Sequence, residues 1–250
     1  KGDFGKVLLV AGSKGKMGAA FLAAKSAFRT GSGMVTVWIP EEERGIVQSA
    51  LPEAMCVFGD AIDLSAYDAV GIGPGWGLAN GALFHQLLHS SIKPLVLDAD
   101  ALTLLSLDQN LWSLIPKGSI LTPHLKEFDR LFGPSTSHLE RMAKAKSCCL
   151  KHEINLVLKG ANSLCTLQDG RQVFNSSGSK YMATAGMGDA LTGMLTSFLG
   201  QGYSPENALL CGVFHHGLAG ELAGNRTLRG TMAQDLIEAI PETYHRIGLD

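Results

Sequence analysis

In Ala185-Gly186-Met187-Gly188-Asp189-Ala190-Leu191-Thr192-Gly193, two glycines and an aspartate run directly into an apolar helical segment. Small side chains at a helix start leave several backbone N–H groups uncovered. Those unpaired donors, together with the helix dipole, attract an anion such as a phosphate. An aspartate held beside such an anion hole can take the proton of a hydroxyl as it attacks a terminal phosphoryl group. The plain alternative is that Asp189 only caps the helix.

Outward from this stretch, short apolar runs alternate with amphipathic segments, the pattern of a mostly parallel sheet covered by helices on both faces, a three-layer αβα arrangement. Strands are expected at Val7 to Val10, Val35 to Ile39, Ala69 to Ile72, Pro94 to Leu97, Ser119 to Leu121 and Leu156 to Leu158. Each is β-rich and ends at a polar or glycine-bearing turn. Ala19 to Arg29 reads as a helix closed by Gly31. Leu164 to Thr166 and Gln172 to Phe174 read as a hairpin turning at Asp169-Gly170. Helices are expected near Asp189 to Leu199, Pro205 to Leu222 and Thr231 to Ile240. Ligands of open α/β sheets bind beyond the carboxyl ends of the strands, so the chemistry belongs to the loops that follow these runs. No repeat, low-complexity tract or linker divides the chain, and residues 1–250 are read as one domain.

Composition narrows the classes. The chain has 250 residues, 46% hydrophobic and 18% charged, with a formal net charge of −2; this balance suits a closed core and no basic stripe marks a nucleic-acid surface. Thirty glycines point to tight turns and close backbone approach to a ligand. Cys56, Cys148, Cys149, Cys165 and Cys211 form no C-x-x-C pair and no zinc spacing, so they read as reduced, mostly buried thiols. The apolar runs are too short for a membrane span, and a cytoplasmic location is expected. The chain opens without Met, which reads as a trimmed start or a cut from a longer polypeptide. No G-x-x-x-x-G-K-[ST] P-loop, G-x-S-x-G elbow or H-E-x-x-H occurs, and Pro74 breaks the dinucleotide spacing of Gly71-Ile72-Gly73-Pro74-Gly75-Trp76-Gly77.

With Leu158-Lys159-Gly160-Ala161-Asn162-Ser163 and Asn175-Ser176-Ser177-Gly178, the Gly188 stretch resembles the C-terminal half of the ribokinase-like superfamily. The resemblance narrows to the ADP-dependent NAD(P)H-hydrate dehydratases through further blocks in the same order. Lys1-Gly2-Asp3-Phe4-Gly5-Lys6 is similar to that family's opening His-Lys-Gly turn without its histidine. Ala11-Gly12-Ser13 and Gly18-Ala19-Ala20 resemble its first ligand loop, and Gly71-Ile72-Gly73-Pro74-Gly75 its G-x-G-P-G turn. Leu97-Asp98-Ala99-Asp100-Ala101-Leu102 and Leu121-Thr122-Pro123-His124 follow. Two positions depart from the family pattern: Leu125-Lys126 replaces Pro-Gly before Glu127, and Met187 replaces threonine.

The resemblance implies ADP-dependent dehydration of the S-epimer of NADHX or NADPHX to NAD(P)H, with release of AMP and phosphate. It implies Mg²⁺ on the nucleotide, ADP or ATP as co-substrate, and a homo-oligomer, a tetramer being one option. It leaves open whether an epimerase domain preceded Lys1. Lys159, Gly160, Ala161, Asn162 and Ser163 would contact the nucleotide, with Gly188 at its phosphates. Ala19, Gly75, His124 and Asp189 would face the hydrated cofactor, and Asp189 would be catalytic. Asn175, Gly186 and Asp98 are further candidates, Asp98 without a defined role and Asp100 as an alternative helix cap. Lys159 could instead be a solvated strand-end charge and His124 a structural residue; His215 and His216, adjacent on one helix and so on different faces, are read as structural. A ribokinase-like kinase acting on a thiazole or pyridoxal alcohol, and a nucleotide-sensing module without turnover, are the rival readings.

Overall fold

The computed structural model describes residues 2–249; Lys1, the first residue of the opening block, lies outside them. The strands are β1 (Lys6–Val10), β2 (Met34–Trp38), β3 (Met55–Val57), β4 (Ala69–Ile72), β5 (Leu95–Leu97), β6 (Ile120–Leu121), β7 (Asn155–Leu158), β8 (Leu164–Thr166) and β9 (Gln172–Phe174). They form one sheet in the order β3-β2-β1-β4-β5-β6-β7-β8-β9. Every pair from β3 to β7 is parallel, and β8 and β9 add an antiparallel hairpin at the edge. The strand order reverses between β1 and β4, which puts the crevice of a doubly wound sheet between the loops that leave those two strands.

The helices are α1 (Met17–Arg29), α2 (Arg44–Ala50), α3 (Gly81–Ser90), α4 (Ala99–Leu107), α5 (Leu125–Phe132), α6 (His138–His152), α7 (Met187–Gly200), α8 (Pro205–Thr227) and α9 (Ala233–Arg246). Alternate side chains of β1 divide them between two faces, as the period of a strand requires. Leu8 and Val10 face a core shared with α3 to α6. Val7 and Leu9 face α1 and α2, while Val96, Ile120 and Val157 meet α7 and α8 on the same side. The expected three-layer αβα fold is therefore present. Cys148, Cys149 and Cys165 are buried in it and all five thiols are free. No helix among the described residues is long and apolar enough to cross a membrane.

Glycine sets how closely α7 approaches its neighbours. A Cβ at Gly193 would lie 2.0 Å from the Ala23 carbonyl oxygen of α1, and one at Gly200 2.4 Å from Val7 Cγ1. Ser26 Oγ donates to the Ala190 carbonyl at 2.8 Å, closing the α1–α7 contact from the other side. These close contacts fix the start of α7 over the strand ends.

Several helix boundaries differ from the sequence expectation. α8 continues past Leu222 to Thr227, and α9, expected to end at Ile240, runs through Pro241 to Arg246. Proline removes one donor, but Thr243 Oγ1 donates to the Ile240 carbonyl at 2.6 Å and is itself joined to His215 Nδ1 at 2.6 Å, so the last turns are held from α8. Asp98, not Asp100, occupies the N-cap position of α4. Ala99 takes a left-handed φ of 49°, which turns the chain sharply after β5 and moves Asp100 into the first turn.

Candidate active site

Gly186 starts α7 with a left-handed φ of 89°, and no side chain caps the helix. The amides of Met187, Gly188 and Asp189 are therefore among the orphan donors of its first turn. Met187 turns its side chain inward, only 6% exposed, so replacement of threonine there changes the packing beneath the turn and leaves its amides uncovered. Asp189 sits at the third helical position and does not cap. The capping alternative fails because Gly186 takes the cap position with a backbone that few other residues adopt.

Beneath this turn lies a built charge cluster. Lys159 Nζ pairs with Asp98 Oδ1 at 2.7 Å, and Thr192 Oγ1 donates to Asp98 Oδ2 at 2.9 Å. Asp98 is 1% exposed, and a buried carboxylate is tolerable only when paired in this way. Lys159 is thus not a solvated strand-end charge. A Cβ at Gly188 would come to 3.3 Å from Lys159 Nζ and 3.5 Å from Asp98 Oδ2, so the glycine stretch lies directly on the pair. Burial raises the Asp189 carboxyl to about 6; Asp98 adds to the rise, Lys159 opposes it, and Asp100 contributes further. A carboxyl tuned toward neutrality is what a general base working near pH 7 requires.

The strand-end loops close around this centre. Gly12 N–H donates to the Pro74 carbonyl at 2.8 Å and Ser13 Oγ to the Gly75 carbonyl at 2.8 Å, bridging the β1 and β4 loops at the crevice. Gly75, with φ 60°, leaves no room for a side chain: its Cβ would stand 2.9 Å from that of Ala19. Gly73 is equally constrained, since a Cβ would overlap the Asp98 carbonyl oxygen at 1.8 Å. Gly77 N–H donates to Asp100 Oδ2 at 2.7 Å, which ties the same loop to α4. His124 and Lys159 form a parallel bridge just beyond β6 and β7.

His124 caps α5. Its Nδ1 accepts from the Lys126 and Glu127 amides at 3.1 and 3.2 Å, and Glu127 returns a carboxylate to the His124 amide at 2.8 Å. The structural alternative is therefore satisfied at Nδ1. The same bonds assign the ring proton to Nε2, which lies 3.5 Å from Glu127 Oε1 on the half-exposed edge of the ring. Lys126 lies in ordinary helical backbone within α5, so the family's glycine is not needed for this turn.

A cleft of about 540 Å³ opens beside Lys159, away from the crevice. Lys159, Gly160, Ala161, Ser163, Asn175 and Gly188 border it; Asn162 is exposed outside it, and Gly186 and Asp189 do not line it but flank Met187 and Gly188, which do. Sequence reasoning missed the opposite wall, formed by Met182, Val213, His216 and Gly217. His215 is structural as expected, buried against Thr243. His216, on the other face of α8, borders the cleft and its Nε2 donates to the Met187 carbonyl at 2.9 Å. Burial drives its pKa down to about 4, with the Met187 bond opposing and Lys159 adding to the fall, so the ring is neutral near pH 7. The missed signal was the spacing of Gly217, Gly220 and Gly224 on one stripe of α8. A Cβ at Gly217 would stand 2.1 Å from Ser177 Oγ and one at Gly220 2.1 Å from Met182 Sδ, so the stripe seats the loop between β9 and α7.

A family model described as NAD(P)H-hydrate dehydratase matches residues 7–242. The chain is 37% identical over 261 residues to the bifunctional NAD(P)H-hydrate repair enzyme Nnr of Moorella thermoacetica, with 96% of this chain and 49% of the relative covered. It thus spans about half the length of that relative. It is 36% identical to the ADP-dependent (S)-NAD(P)H-hydrate dehydratase of Neisseria meningitidis over 89% of this chain and 78% of that protein. Among solved structures, the ADP/ATP-dependent NAD(P)H-hydrate dehydratase of Bacillus subtilis, co-crystallised with ATP and Mg²⁺, superposes with a TM-score of 0.88 at 30% identity, covering 98% of this chain and 90% of that one. With its ribokinase-like fold and a match across nearly its whole length, the chain belongs to the NAD(P)H-hydrate dehydratase family.

Proposed function

We propose that residues 1–250 form a single catalytic domain that dehydrates the S-epimer of NADHX or NADPHX to NAD(P)H, using ADP and releasing AMP and phosphate. The observation that carries this reading is Asp189, a carboxyl raised to about 6 at the uncapped start of α7, beside the Lys159–Asp98 pair. The hydroxyl on the hydrated ring is a poor leaving group. In this scheme Asp189 takes its proton as the oxygen attacks the terminal phosphorus of ADP, the bond to the bridging oxygen breaks, and AMP leaves. The ring nitrogen then expels phosphate from carbon, and loss of the neighbouring ring proton restores the dihydropyridine. Amides of the Gly186 to Gly188 turn take up charge on the phosphoryl group in transit, and Lys159 supplies a fixed cation.

In the same proposal, Lys159, Gly160, Ala161, Asn162 and Ser163 hold the nucleotide with Gly188 at its phosphates, and Asn175 lines the same cleft. Gly186 shapes the turn, Asp98 positions Lys159, and Ala19, Gly75 and the Nε2–H of His124 face the hydrated ring. No cluster of three or more metal-ligating side chains occurs among the described residues. Mg²⁺ on the nucleotide would be held mainly through phosphate oxygens and its own water, with Asp189 the carboxylate open to it, since both oxygens of Asp98 are engaged by Lys159 and Thr192. When bound it would neutralise charge on the nucleotide. We assign the enzyme to the cytoplasm as a homo-oligomer; five free cysteines agree with a reducing compartment.

The test is incubation with (S)-NADHX, ADP and Mg²⁺ while following the reduced-nicotinamide absorbance. The expected result is its return together with stoichiometric AMP and phosphate. A stable phosphorylated alcohol in place of NADH would show an ordinary kinase, and no turnover a binding module.

A further inference from the structure

A second cleft, of about 530 Å³, lies on the opposite side of the crevice from the first. Its near wall is the loop pair that touches the catalytic centre: Gly12 to Lys14 after β1 and Trp76 to Asn80 after β4. Its far wall follows β2 and β3, where Glu41 and Asp60 stand exposed at the rim. Two tryptophans, both nearly buried, form the floor. Trp38 is 5% and Trp76 6% exposed, Trp38 Nε1 donates to the Gly59 carbonyl at 3.1 Å, and Trp76 packs edge-on to Phe84. Leu78, half exposed, is the apolar side chain most open to the cleft.

We propose that this cleft holds the adenosine half of the hydrated dinucleotide, and that Glu41 and Asp60 select a free 2′-hydroxyl over a 2′-phosphate, making NADHX the preferred substrate. The inference rests on the dehydratase reading above, and three observations carry it. The first is reach: Asp98 ends β5 and Glu41 follows β2, three strand positions away in the order β2-β1-β4-β5. At the spacing of neighbouring strands this is roughly 14 Å, the reach of two nucleosides joined through a pyrophosphate.

The second is what lies between. Lys14 and Lys16 stand exposed on the loop that leads into α1, Lys16 with its Nζ 3.9 Å from Asp100 Oδ2. That helix opens with no side-chain cap and no acid in its first turn, a cationic stretch for the pyrophosphate to cross. The third is the sign of the rim. Glu41 and Asp60 can accept from ribose hydroxyls, whereas a phosphate dianion there meets two like charges; Arg44 is already bound to Glu41 at 3.0 Å, and the one cation of the lining, Lys14, stands on the opposite wall with the loop assigned to the pyrophosphate. The smaller hollow of about 370 Å³ beside Arg229, between α1 and the segment before α9, has the opposite character and would favour the 2′-phosphate.

The experiment compares NADH with NADPH by direct titration, and (S)-NADHX with (S)-NADPHX by kcat/KM, for the wild type and for Glu41→Lys/Asp60→Lys. Both positions are exposed, so the double variant should fold, and its unchanged KM for ADP checks this. The expected result is a preference of about tenfold for the unphosphorylated form in both assays, erased or reversed in the double variant. Equal affinities in the wild type, or a ratio untouched by the substitutions, overturns the assignment. A preference for NADPH that Arg229→Ala removes overturns it too, in favour of the other hollow. If titration shows the preference but neither hydrate is dehydrated, the subsite stands and the dehydratase reading falls.

Discussion

Asp189 carries opposing demands that can be measured separately. Its ordinary value is near 3.8, and in the fold it stands near 6. An acid held above its unfolded value is favoured by folding when protonated. Its contribution is therefore intact below about 4 and is lost as pH rises through 6. Asp189→Asn removes that loss, and with allowance for partial solvent screening should stabilise the protein by about 1 kcal/mol at pH 8 and by almost nothing at pH 4. In thermal melts this is a rise of roughly 2–4 °C at the higher pH alone. The same variant should lose about 10²- to 10⁴-fold in kcat, and wild-type kcat/KM should climb with pH through about 6 as the base deprotonates. A variant both less active and less stable at pH 8 would contradict this account of the carboxyl.

The elements around Asp189 show which parts of this arrangement could be read in advance. Strands β1, β2 and β4 to β9 stand where β-rich runs meet turn residues, because each run is short, apolar and sharply ended. Edge strand β3 (Met55–Val57) is not among the strands expected from sequence: it pairs on one side only, none of its residues is buried, and unlike the exposed strand β9 it has no tight hairpin turn to mark it. The glycine turn at Gly186 was legible because small residues before an apolar helix have few other uses. The wall formed by α8 was not, because its glycines act across a distance in sequence, receiving Ser177 and Met182 from a loop some forty residues earlier. His216 stayed hidden for the same reason, its partner being Met187. Gly217→Ala tests this wall. The new methyl meets the Ser177 backbone at 2.8 Å, so the loop must lift from α8 while Asp189 and Lys159 stay in place. KM for ADP should rise several-fold with kcat little changed, the signature of lost ground-state binding. An equal fall in kcat would mean that the loop acts on the transferring group itself.

At the scale of the whole molecule, one sheet presents two clefts on opposite sides of a single helix start. The first lies against β7 and the hairpin beyond it, the second against the ends of β1 to β4. Lys159 and the first turn of α7 line the first cleft, with Asp98 beneath them, and in the proposed reading ligands entering from the two sides meet at that turn. Because the clefts share no lining residue, occupation of one should leave the other open, and stabilisation by the two ligands should add. ADP at a hundred times its Kd contributes about 2.7 kcal/mol by mass action, roughly 5–10 °C in Tm for a chain of this size. NADH, the unreactive product, should raise Tm further in protein already saturated with ADP, by the same increment as in its absence. If the second ligand instead adds nothing, both bind in one cleft, and the division of the strand ends into a nucleotide side and a dinucleotide side is wrong. An increment larger than the sum would mean that the first ligand orders the α7 turn for the second, since that turn is the contact both would share.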